Sequence, residues 1–129
     1  YELDTAELSD EEKEIVKQQV AFYHQTYDTI HNGDLYRLIA PEDNGFTCAW
    51  NFVSEDKKSA LLTVVIMRRR EFQTLIVRLR GLQADALYRC SATGQTYTGA
   101  FLMGAGINFS DSDMNSDGKS AVLYFEQID

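Results

Sequence analysis

The chain has 129 residues, 44% hydrophobic and 12% aromatic. That is enough for one core burying roughly two-thirds of the unfolded surface, and it excludes a disordered segment. A formal net charge of -8 excludes a phosphate backbone or an anionic membrane as partner, since both need basic surface, and leaves neutral ligands and protein partners open.

The acidic start, "YELDTAELSDEEKE", is neither a signal nor a transit peptide, and no apolar run reaches the ~18 residues of a membrane span. The missing initiator methionine suggests that the sequence begins inside a longer polypeptide.

Ser9 followed by Glu12 forms an S-x-x-E capping box, with Asp10 and Glu11 at the positive end of a helix dipole. Ile15, Val16, Val20, Phe22, Tyr23, Tyr27 and Ile30 recur at helical spacing and span an arc of about 160°. Asn32-Gly33 is expected to supply a left-handed residue that stops this helix.

From Asp34 the period changes to two. Leu35, Arg37 and Ile39 should face one way, and Tyr36, Leu38 and Ala40 the other, with Pro41 closing the strand. "PEDNG" reads as a loop. In "FTCAWNFV" Phe46, Cys48, Trp50 and Phe52 share one face, which is expected to be the core face. "SEDKKS" predicts a polar hairpin connection, and "ALLTVVIM" a central strand covered on both sides.

A turn is expected at residues 68–71. Beyond it Leu75, Val77 and Leu79 alternate with Thr74, Ile76 and Arg78. A strand over 86–91 leads into "TGQTYTG", read as a tight turn. Residues 99–106 read as an irregular turn or a short helix, and 121–127 as a last strand. The expected fold is mostly β: an antiparallel β-sandwich of about six to eight strands preceded by one long N-terminal α-helix.

Candidate chemistry is sparse. Asp113, Asn115, Asp117 and Gly118 match the first half of a calcium loop, but its twelfth position is Tyr124, where a bidentate Glu is needed, and no second helix follows. A solvated acidic turn is the competing reading. His24 and His31 are seven residues apart, too far for an i, i+4 metal pair, and read as surface or interface residues. Cys48 and Cys90 lack CxxC spacing, so buried free thiols are expected rather than metal or redox chemistry. Arg68 to Arg70, with Arg78, Arg80 and Arg89, form the basic concentration; they would dock a carboxylate-rich neighbour or blunt a strand edge. Trp50 and the tyrosines suit either a core or a sugar-stacking platform. No carboxylates pair at an apolar strand end as glycosidase chemistry needs.

Several segments together carry a resemblance. "YELDTAELSDEEKE" running into "VAFYHQTYDTIHNGDLYRLIAP" resembles the end of the catalytic domain of a family 36 glycoside hydrolase, a bacterial-type alpha-galactosidase. "AWNFVSEDKKSALLTVV", "LRGLQADALYRC" and "YTGAFLMGAGI" resemble that family's C-terminal β-sandwich, in the same order. Residues 108–119 match no family pattern. The resemblance implies a division near residue 33. Residues 1–32 would be the end of a (β/α)8 barrel, mainly its last helix, and residues 33–129 the sandwich, with Tyr36 and Arg37 packing across the seam.

Family members remove terminal alpha-galactosyl units from melibiose and raffinose with retention, using two aspartates on earlier barrel strands. Neither matches a position here, so the resemblance implies no catalytic, substrate-binding or metal residue in this chain and no cofactor. It implies a cytoplasmic protein whose partners are the barrel of the same polypeptide and, in the parent, further subunits of a tetramer. A carbohydrate-binding module acting through exposed aromatics is the alternative.

Overall fold

The computed structural model describes residues 6–44, 46–68, 74–109 and 116–128. Helix α1 (Asp10–His31) opens with the predicted box: Glu12 N–H donates to Ser9 Oγ at 3.2 Å, and Ser9 N–H to the Glu12 carboxylate at 2.8 Å. These bonds satisfy donors that a helix start otherwise leaves orphaned. At the other end Asn32 caps in a right-handed conformation, and its N–H returns to the Asp28 carbonyl.

Gly33 is not left-handed, against expectation. A glycine is needed there for space instead. A Cβ would run into the carbonyl oxygens of Thr29 and Val53, so helix and sheet touch backbone to backbone at this point.

Eight strands follow: β1 (Asp34–Ile39), β2 (Thr47–Val53), β3 (Ser59–Ile66), β4 (Ile76–Val77), β5 (Leu87–Cys90), β6 (Thr96–Thr98), β7 (Ile107–Asn108) and β8 (Lys119–Ile128). Six make one antiparallel sheet in the order β1-β2-β3-β8-β5-β6, and β4 pairs with β7 in a second layer. The predicted "PEDNG" loop contains a short helix, α2 (Pro41–Asn44), and "TGQTYTG" turns at Gly94 (φ 71°) before forming β6. Residues 99–106 contain a short helix, α3 (Gly99–Gly104), capped by Thr98 Oγ1. The alternation predicted for 74–79 appears in the burial, although the paired strand there is only two residues long.

The core lies between the two sheets. Ala49, Leu62, Val64 and Phe125 from the large sheet meet Val77, Leu79, Leu102 and Phe109 from the second layer. This corrects the expectation for β2. Its buried face carries Thr47, Ala49, Asn51 and Val53, and Cys48, Trp50 and Phe52 occupy the half-buried opposite face. The inner face favours small and amide side chains because the second layer approaches closely. Asn51 donates to the Arg80 carbonyl and accepts from the Arg80 N–H, both at 3.0 Å. One fully buried amide thereby pins the layers together, with both its nitrogen and its oxygen bonded.

The β2–β3 hairpin combines local bonds with one distant one. Asp56 accepts from Ser54 Oγ and Lys58 N–H, and Lys57 adopts φ 61° at the tip. Tyr88, fully buried, donates to the Lys57 carbonyl at 2.7 Å and accepts from the Gln83 N–H at 3.1 Å. Strand β3 is central, as expected, between β2 and β8.

Helix α1 lies on the outer face of the large sheet. Thr29 Oγ1 and Ser59 Oγ share a 2.6 Å hydrogen bond, and Phe22 meets Tyr124 edge-on at 6.4 Å. Its buried positions are Thr26 and Thr29, one edge of the predicted apolar arc. Of the rest of that arc, Val16, Phe22 and Ile30 are half-buried, whereas Ile15, Val20, Tyr23 and Tyr27 are exposed.

Candidate interaction face and cleft

Two open surfaces result from this half-covered outer face. The first is the free side of α1. Tyr23 packs edge-on against Tyr27 at 5.6 Å, and Tyr27 stacks on His31 at 4.8 Å, so an aromatic stripe runs along the last turns. His24 and His31 are exposed, as expected for surface histidines.

The second is a cleft of about 660 Å³ over β1 and β2, lined among others by Leu35, Arg37, Pro41, Glu42, Trp50 and Phe52. No residue of α1 lines it. Arg37 and Trp50 stand directly opposite each other across the β1–β2 ladder, as do Leu35 and Phe52. A register shift between Arg37 and Ile39 then breaks the predicted alternation. Such bulges redirect side chains at a sheet edge. The chain turns into α2 immediately afterwards, bringing Pro41 and Glu42 to the cleft wall.

A smaller cleft of about 370 Å³ holds Arg78 and Arg80 beside Leu38, Ile76 and Met103. Arg78 Nε donates to the Gly104 carbonyl at 2.7 Å, so part of the predicted basic cluster holds α3 in place. Arg89 is exposed on β5, and Arg69 and Arg70 lie outside the described residues.

The carboxylates with displaced protonation serve local structure. Backbone and side-chain hydrogen bonds from Ser9 hold Glu12 below its ordinary pKa; the Lys58 N–H, then the Ser54 hydroxyl, do the same for Asp56. Tyr88 is pushed up, chiefly by burial. The two carboxylates sit in a cap and a turn, and Tyr88 on β5 in the core; none of the three lines either cleft.

Among the described residues no three His, Cys, Asp or Glu side chains gather as a metal site. Asp113 and Asn115 of the calcium reading lie outside the described residues, whereas Asp117 and Gly118 are exposed. Both cysteines are free thiols; Cys90 is buried in the core, and Cys48 is only half-buried at the cleft.

A family model described as the glycosyl hydrolase family 36 C-terminal domain matches residues 47–125. The bifunctional alpha-galactosidase/sucrose kinase AgaSK of Mediterraneibacter gnavus is 43% identical over 108 residues, 83% of this chain and 11% of that protein. Alpha-galactosidase Mel36A of Lactobacillus acidophilus is 35% identical over 129 residues, 99% of this chain and 17% of that protein. The crystal structure of the family 36 alpha-galactosidase AgaA from Geobacillus stearothermophilus superposes with a TM-score of 0.86 at 33% identity, covering 99% of this chain and 17% of that one. The chain therefore spans between 11% and 17% of the length of these relatives. It belongs to the family of glycosyl hydrolase family 36 C-terminal domains.

Proposed function

We propose that the chain is the non-catalytic C-terminal region of an alpha-galactosidase. In this reading residues 1–32 finish a catalytic (β/α)8 barrel, and residues 33–129 form the sandwich that buttresses it and contributes to subunit contacts. The full-length enzyme, cytoplasmic and of bacterial type, hydrolyses terminal alpha-galactosides such as melibiose and raffinose with retention. The observation that carries the reading is the stripe of Val20, Tyr23 and Tyr27, exposed on a helix whose other edge is already seated on the sheet. Large apolar side chains gathered along one helix side mark a contact surface, and the relatives are six to nine times longer than the matched region.

Two measurements test this. The purified chain, incubated with a chromogenic alpha-galactoside, should show no turnover; turnover that co-purifies with it overturns the non-catalytic assignment. In the full-length enzyme, replacing Tyr23 and Tyr27 together by Ser should lower the melting temperature, while the same change leaves the melting of this chain nearly unmoved. Equal shifts in both would place the stripe's role inside the sandwich, not against the barrel.

A further inference from the structure

The cleft over β1 and β2 is lined by no residue of α1 and so lies apart from its exposed stripe, and its chemistry points to a ligand. Trp50 is the chain's one tryptophan, and it is half-buried there with part of its ring accessible. Among the described residues the side chains of Trp50, Arg37 and Glu42 make no hydrogen bond, ion pair or ring contact, so the indole N–H, the guanidinium and the carboxylate are all unspent. Arg37 stands beside Trp50 across the ladder, at the roughly 5 Å spacing of facing residues. Glu42 approaches from α2, at the wall that the bulged end of β1 creates. Leu35, Phe52 and Pro41 supply the apolar remainder.

The two charges cancel within the cleft, in a chain whose net charge of -8 repels anions. A neutral ligand with one apolar face and a hydroxylated rim fits this arrangement. The volume falls within the roughly 300–1,000 Å³ of small-molecule sites.

We propose that this cleft is a non-catalytic binding site for a neutral pyranose sugar. The C–H face of the ring packs on the Trp50 indole, Arg37 donates to its hydroxyl oxygens, and Glu42 accepts from its hydroxyl groups. The proposal is independent of the buttressing role. Sugar binding to the chain and turnover of a galactoside by the chain are separate measurements, so either can fail alone.

Because the chain has a single tryptophan, its emission reports on the cleft. Titrating the chain with galactose, and separately with glucose, should give a saturable change in Trp50 emission that the open-chain polyol mannitol does not reproduce. Arg37→Ala and Glu42→Gln should each weaken that binding about tenfold or more, since hydrogen bonds to charged groups are among the stronger polar contacts. Both residues are exposed, so the variants should melt with the parent chain. Trp50→Phe, followed by calorimetry, should weaken binding while retaining an aromatic face. The proposal is overturned if mannitol matches the sugars, if no saturable change occurs, or if the Arg37 and Glu42 variants bind as the parent does. A response to a short apolar peptide in place of sugar would equally overturn it, by making the cleft a protein-docking groove.

Discussion

On the inner face of the six-stranded sheet, Ala49, Leu62, Val64 and Phe125 are at most 1% exposed beneath the β4–β7 layer. On its outer face, where Phe22 of α1 meets Tyr124, Leu61 and Tyr124 are each 5% exposed, yet Leu35 and Val122 remain 48% and 44% exposed. Both faces carry apolar residues along the same strands, but only one is closed. Hydrophobic stabilisation follows the area taken from water, so the inner face should hold the stability of the chain. The outer face keeps apolar area that this chain does not cover.

The sharpest way to break this contrast is to truncate one residue on each side of β8. Phe125→Ala should cost about 3–5 kcal/mol in urea denaturation, whereas Val122→Ala should stay within about 0.5 kcal/mol. Comparable losses would mean that the outer face is a second core. Next in size, Asn51→Ala removes both bonds to the Arg80 backbone and leaves a buried N–H and carbonyl unpaired. A loss of about 2–3 kcal/mol is expected, and no loss would show that the layers are held by apolar contact alone.

Ser9→Ala addresses the outer cover. It opens the cap of α1 and should cost about 1 kcal/mol, with hydrogen exchange rising at the start of α1 but not in β3. The smallest effects appear only away from neutral pH. Burial raises the Tyr88 pKa above its ordinary 10.0, so its contribution is complete below that value and is lost as pH rises through the raised one. Glu12 and Asp56 are held below their ordinary 4.5 and 3.8. Their contributions are present above those values and are lost as pH falls through the lowered ones. Melting temperature against pH should therefore decline at both extremes; Tyr88→Phe should flatten the alkaline limb, and Asp56→Asn the acid one.

Legibility from sequence followed the range of the interactions. The capping box of Ser9 and Glu12, the "SEDKKS" hairpin and the continuous apolar strand β3 depend on neighbours within a few residues, and each forms where the pattern places it. The inward face of β2 was not legible. Phe46, Cys48, Trp50 and Phe52 look more apolar than Thr47, Ala49 and Asn51, but the latter are buried because Arg80, 29 residues beyond Asn51, brings its backbone against them. Gly33 is legible as a helix stop, but not its cause, since the carbonyl of Val53 that excludes a side chain there belongs to β2, 20 residues on. The cleft shows the same limit. Trp50 reads as a sugar platform or a core residue from its pattern alone, whereas the register and bulge that bring Arg37 and Glu42 to its cleft have no local signal.

The position of β8 also bears on how the molecule comes into being. The sheet's last-made strand sits between β3 and β5, not at an edge. Until residues 119–128 have emerged from the ribosome, β3 has one free flank, and the β5–β6 hairpin has no sheet to join. During synthesis the chain therefore holds an open, largely apolar strand edge for the time needed to make the 52 residues between Ile66 and Lys119. Such pairings between distant segments are slow, and exposed edges invite aggregation. The nascent chain is most at risk just before its synthesis reaches β8.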